Sequence, residues 1–418
     1  MPKYPHRKFC VTFVILTLSW CLCFQAEAAL IWNLAPVDTT GSIFMPALDL
    51  DSSGNPHISY YDETNQNLKY AKWTGTFWSI QNVEPFGSGY DVSDLALDSN
   101  GIPHILYSKY TMGQLRYAVW NGSAWTIQII SQPWVDSPAI AFDKLGNFHI
   151  IFRTGDLKYA KLVGASWNIT TVDTAGGMGN SLAVDNNGNP HISYVSYVSE
   201  QQQPLRYAKW TGTAWNLQTV DATGICYYTS IAVDSNGNPH ISYSYKANQT
   251  STNLSMKYAE WTGTEWNIQT ISSATNTGYF SSIVLRSSNN PQICYDDLDG
   301  TGSLKYANWT GATWNTQTVD GPNAQSGSMV LHSTGNPRIG YSSSAGLKYA
   351  ELIDPSVTPP IPEFQSFAMI STLVITSLLW MMTKGRRKGK SSPDARAVRQ
   401  ENCLNLVSDS SCPSQNIG

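Results

Sequence analysis

Cysteine is scarce in the body of this chain. Seven are present, but only Cys226 and Cys294 fall between residues 30 and 354. So few exclude a disulfide framework as the source of stability, and nothing in the pattern requires these two to pair. Basic residues are also few there. Residues 30–354 hold 16 Lys and Arg against 25 Asp and Glu, a balance of −9. That acidity excludes nucleic acid as a partner. Long apolar runs are absent except at the two ends.

The end segments read as addresses and anchors. Lys3, Arg7 and Lys8 precede an apolar stretch from Val11 to Phe24, and Ala26-Glu-Ala-Ala29 offers a small-residue cleavage site. Residues 1–29 are therefore expected to be a secretory signal. At the other end, 354–364 reads as a Pro-rich stalk, 365–383 as a transmembrane helix and 384–418 as a basic, polar cytoplasmic tail. The cluster Lys384-Gly-Arg-Arg-Lys-Gly-Lys390 places that tail inside and the body outside. Ile361-Pro-Glu-Phe364, the apolar stretch and the basic cluster resemble the PEF-type sorting signal of archaeal surface proteins. The resemblance implies cleavage by an archaeosortase and retention at the cell surface. The tail beyond Ser391 departs from that pattern, so a plain single-pass anchor stands as the alternative. Sequons at Asn121, Asn168, Asn248, Asn253 and Asn308 are glycan candidates in a secreted chain.

What the body has is repetition. Asp-x-x-Gly-Asn-Pro-His-Ile-Ser-Tyr recurs in five recognisable copies, from Asp51, Asp98, Asp143, Asp185 and Asp234, and two degenerate copies start at Arg286 and His332. Counted from His57 to Arg338, the spacings are 47, 45, 42, 49, 52 and 46 residues. A period near 45 residues with short apolar segments signals a β-propeller. In the fourth copy, Ser181–Asp185, His191–Tyr194, Leu205–Trp210 and Trp215–Val220 read as four strands, with Asn186-Asn-Gly-Asn-Pro190 as turn chemistry.

The third strand recurs seven times, the fourth only six times after it. The missing copy stands at the amino end as Ile31-Trp-Asn-Leu-Ala-Pro-Val-Asp38. The amino-terminal segment is therefore expected to supply the outer strand of the last blade and close a seven-bladed ring over residues 30–353. The fold class is all-β.

His57, His104, His149, His191 and His240 occupy equivalent positions, one per blade, too far apart to share an ion. Each has an Asp six residues earlier (Asp51, Asp98, Asp143, Asp185, Asp234), and the two copies lacking the Asp lack the His. A structural Asp–His hydrogen bond across the first hairpin is expected. The paired Trp of Trp-Thr-Gly-x-x-Trp read as packing between blades, with a glycan-stacking ring as the alternative. No metal site is expected. Asp296, Asp297 and Asp299 form part of a calcium-loop pattern, but the full loop with its distal Glu is absent.

Propeller geometry separates the loops. The first-to-second and third-to-fourth strand turns share one face and are nearly identical. The other face carries loops that vary, from short Arg153-Thr-Gly-Asp156 to long Val195–Pro204 and Ser244–Ser255. A scaffold that fixes one face and varies the other puts function in the variable loops. Ligand-binding candidates entering there are Phe44, Tyr90, Asp91, Trp134, Asp136, Met178, Tyr227, Tyr228, Tyr279 and Phe280. Aromatics mixed with carboxylates suit a polar ligand such as a sugar.

The repeat loosely resembles the Asp-containing turns of BNR or sialidase-like propellers and the Asp-x-x-Gly-Asn hairpin of NHL propellers. It departs from the sialidase pattern, since Pro-His follows the turn. Of the five propeller arginines only Arg153 lies at a variable loop, so no Arg trio assembles. Three functions remain: a non-catalytic surface propeller binding glycans or proteins, a carbohydrate-active enzyme (sialidase-like glycosidase or polysaccharide lyase), and a surface-layer spacer. No catalytic residue is assigned, and oligomeric state is not legible.

Overall fold

The computed structural model describes residues 30–354, apart from 86–91, 133, 165 and 274–275. The segments expected to be signal, spanning helix and tail, and the expected stalk after Asp354, fall outside the described residues. Among those described, no helix is long and apolar enough to cross a membrane.

Seven antiparallel sheets of four strands make up the body. The fourth blade runs Gly176–Val184, Pro190–Ser196, Leu205–Trp210 and Trp215–Asp221. Its inner strand starts five residues earlier than the alternation alone suggests, because the variable-face end is irregular. The seventh blade takes Gln325–Leu331, Pro337–Ser343 and Gly346–Ile353, then Ile31–Asp38 from the amino end. That strand pairs antiparallel from Ile31 opposite Ile353 to Asp38 opposite Leu347. Ring closure by the amino-terminal segment is thus observed, and it removes the open edge.

Five of the seven first hairpins are built by their Asp. In blade four, Asp185 Oδ1 accepts from the backbone N–H of Asn187 and Asn189, both at 2.9 Å. Gly188 holds a φ of +79°, and a Cβ there would stand 3.1 Å from Asp143 Oδ2 of the preceding blade. Glycine serves both the left-handed turn and the close blade-to-blade approach.

The His has a different principal partner from the one expected. Its Nε2 stands 3.4–4.0 Å from the Asp carboxylate, and only at His191 is this a hydrogen bond. Its Nδ1 instead bonds a third-strand tyrosine hydroxyl: Tyr70, Tyr117, Tyr159, Tyr207 or Tyr258, at 2.5–2.8 Å. Burial pulls His57 and His191 down to about 4, and lowers His104, His149 and His240 as well. In the degenerate copies, the Gln292 amide meets Tyr306 at 2.7 Å, and Arg338 pairs with Glu351 at 2.9 Å.

The tryptophans tie blades together. The outer-strand Trp of every blade packs edge-on against the third-strand Tyr of the preceding one. All seven pairs lie at 5.2–5.9 Å and 65–77°, including Trp32 of the amino-terminal strand on Tyr306. In five of the blades a second Trp closes the hairpin and meets its partner tilted or edge-on at 5.3–5.5 Å. The result is a closed aromatic belt, the packing alternative of the two readings.

A second set of ties lies toward the variable face. At or next to the end of an outer strand, a carboxylate binds the second-strand Tyr of the next blade and a cation beside it. Asp221 meets Tyr243 at 2.8 Å and Lys257 at 3.1 Å. Asp38, Glu84, Asp173 and Asp320 repeat the clasp. Burial alone would raise Asp38, but hydrogen bonds from Thr40, Lys69 and Tyr60 hold it at about 2. Two interfaces lack the carboxylate: Ser131 stands there between blades two and three, and Ser272 between five and six.

Candidate functional site

Around the central channel the inner strands carry small polar residues. Ser181, Ser230, Ser282 and Ser328 accept from a backbone N–H of the next blade at 3.0–3.2 Å. Asp94 does the same for Ile140 at 2.9 Å, and burial raises its carboxyl to about 6.

At the variable-face mouth this regularity breaks. The inner strands of blades one and three to seven each slip register, for example between Phe44 and Ala47, Asp136 and Ala139, and Cys226 and Thr229. Met45, Ser137, Gly179 and Ser326 take positive φ at these slips. Bulges of this kind re-aim side chains beside functional sites. Here residues of six blades meet, those of five blades from slipped strands.

The cavity at the mouth measures about 670 Å³, within the ~300–1,000 Å³ of small-ligand sites. Phe44, Asp136, Met178, Tyr227, Tyr228 and Tyr279 line it, joined by Met45, Arg153, Tyr197 and Gln203. The aromatic wall is itself packed. Tyr228 lies 5.0 Å from Tyr279 and 4.3 Å from Phe280, ring centre to ring centre, and Tyr279 lies 4.9 Å from Phe280. Burial, and then a hydrogen bond with Tyr279, push the Tyr228 phenol above its ordinary value. Opposite, Arg153 Nη1 donates to Asp136 Oδ2 at 2.7 Å, so both charges are neutralised in place.

The other candidates fall nearby or elsewhere. Phe280 lines the channel immediately below, with Asn180 and Ser281. Trp134 lines a separate cleft of about 320 Å³ next to the cavity. Tyr90 and Asp91 lie outside the described residues. Gln203 and Tyr197 escaped the sequence reading; only the length of their loop marked it as variable.

The calcium-loop pattern does not survive as geometry. Asp296 is buried and accepts from Ser326 N–H at 2.8 Å, and burial raises its carboxyl to about 8. Asp297 turns to Lys305 at 3.5 Å. Among the described residues no three His, Cys, Asp or Glu groups are placed to hold an ion. Cys226 lies within the inner strand of blade five, and both it and Cys294 are free and buried.

No protein-family model and no curated protein matches the chain. Solved structures of similar fold include an ulvan lyase of polysaccharide lyase family PL25, bound to -[GlcA(1-4)Rha3S]-. It is 15% identical, with 76% of this chain and 95% of that one covered at a TM-score of 0.58. The polysaccharide lyase Uly1 is 12% identical over 77% and 90%, at 0.51. The propeller domain of Myceliophteria thermophila Cps50 (Swd1) is 6% identical over 77% and 99%, at 0.52. At these identities the likeness is one of fold: the chain is a seven-bladed β-propeller.

Proposed function

We propose that this protein is a non-catalytic, surface-anchored propeller that binds a glycan at the variable-face cavity. The observation that carries the reading is the lining. Phe44, Tyr227, Tyr228 and Tyr279 offer aromatic rings, Gln203 offers an amide, and the charged groups form an ion pair that is already neutralised. Rings that stack on the apolar face of a sugar, with a few placed polar groups, suit an uncharged or weakly charged polyol.

Catalysis is the second reading, favoured by the fold shared with two polysaccharide lyases. Glycoside hydrolysis needs two facing carboxylates. Among the described residues lining the cavity there is one, Asp136, held by Arg153, and no histidine. The Tyr228 phenol is shifted away from the ionised form a base requires.

The secretory signal at 1–29, the stalk and the apolar segment at 365–383 belong to the same proposal. They place the propeller outside the cell, held by a PEF-like sorting signal or a single-pass anchor. Sequons at Asn121, Asn168, Asn248 and Asn253 are exposed, as glycan attachment requires.

The test is a glycan array probed with the full chain in detergent, with and without calcium, followed by product analysis on every glycan bound. Binding with intact glycans supports the proposal. Cleavage moves the enzyme reading to first place. Silence on the array turns the cavity toward a protein partner or a structural coat.

A further inference from the structure

We infer that the cavity is one end of an extended groove, and that its ligand is a linear oligosaccharide rather than a single sugar. This rests on the glycan reading above and adds to it. The second cleft shares two of its walls with the cavity: Asp136 and Arg153 line both. The ion pair therefore forms a low divide between two compartments, not the end of a site.

Four separate features open that second compartment. It lies between blades two and three, one of the two interfaces where the carboxylate clasp is missing and Ser131 stands in its place. The second-to-third strand loop of blade three is the shortest on this face, reduced to Gly155 between strands ending at Thr154 and starting at Asp156. Gly155 takes φ +90°, with nothing within 4 Å of where a Cβ would stand. Gly113 forms another wall, so neither loop projects bulk over the floor.

Trp134 then stands at the rim. It is 68% exposed, while Val135 beside it is buried. Its φ of 57° is left-handed, a conformation a bulky residue seldom adopts without a reason. Every other tryptophan of the propeller belongs to the blade-to-blade belt or its hairpins. Trp134 lies instead in the loop between blades two and three, with its backbone in the left-handed region. A ring so placed, beyond a polar divide from the tyrosines, matches successive units of one chain: stacking in the cavity, hydroxyls over Asp136 and Arg153, stacking again on Trp134.

The experiment titrates the full chain in detergent with cello-, manno-, xylo- and chito-oligosaccharides of one to six units, by calorimetry. In the series that binds, affinity is expected to rise with length until Trp134 is reached and then level off. Trp134→Ala should weaken the long oligomers about fivefold to tenfold, as for loss of one aromatic contact, and leave the shortest binder unchanged. Trp134→Phe should restore most of the loss. Trp134→Gly, which accepts the positive φ, separates loss of the ring from backbone strain and should match the Ala variant. A glycan bound with no dependence on length, or a length dependence that survives Trp134→Ala, overturns the groove and leaves the cavity reading standing. No binding by any series overturns both.

Discussion

The aromatic belt and the cavity are built from the same residue types and do opposite things. In the belt, each Trp–Tyr contact recurs seven times, and each His–Tyr bond five times, at nearly constant geometry. In the cavity, Phe44, Tyr227, Tyr228 and Tyr279 come from only three of the seven blades, at positions where the strands slip register. Repetition marks side chains whose task, joining one blade to the next, is the same at every interface. A site that recognises one ligand needs asymmetry, and the fold supplies it where the ladder is broken.

Acid should separate the two regions most sharply. Folded-state burial lowers the belt histidines, to about 4 for His57 and His191, against about 6.5 in the unfolded chain. The unfolded state therefore takes up protons first as pH falls. Stability should be level above about pH 6.5 and drop between 6.5 and 4, on the order of 1 kcal/mol per histidine by pH 5. Denaturant midpoints across that range check this. A flat profile would mean that the histidines titrate alike in the folded and unfolded chain.

Trp266→Ala should cost about 2–4 kcal/mol. It removes stacking on Trp261 and Tyr207 and leaves Gln218 without its 3.0 Å indole partner. Tyr228→Ala, in the cavity, should cost less in stability and more in glycan binding. If both variants lose stability equally, the distinction between belt and site fails. Asp221→Ala should follow at about 2–3 kcal/mol, since it strands the Tyr243 hydroxyl and Lys257 ammonium in a largely buried clasp. Chemical unfolding of Asp221→Asn, which keeps an acceptor, should show part of that loss recovered.

The smallest effect has the opposite sign. Burial raises the Asp296 carboxyl to about 8, so the unfolded chain releases its proton near pH 4 and the folded one does not. Stability at this residue is thus present at low pH and lost as pH rises toward 8. Asp296→Asn keeps the acceptor for Ser326 N–H and should stabilise the protein at pH 7 by about 1 kcal/mol, with little gain at pH 4. Thermal unfolding at both pH values decides it.

Much of this protein is legible in its sequence by itself. The seven copies, the displaced fourth strand at Ile31–Asp38 and the split between constant turns and variable loops lead to the blades, the ring closure and the face on which the cavity opens. They are legible because a blade is a local object: four strands and three turns within about 45 residues, each with its own turn chemistry and alternation. Tertiary structure decided what blades do to one another. The His–Tyr bond replaced the expected Asp–His bond as the main tie, because a tyrosine 10–18 residues along the chain lands beside Nδ1 once the strands pair. The carboxylate clasps, the pairing of Asp136 with Arg153, the burial of Asp296 and the slips that turn Phe44 and Tyr228 toward one cavity all join residues whose proximity depends on strand register and blade-to-blade packing. No spacing in the sequence records those distances; only the closed ring sets them.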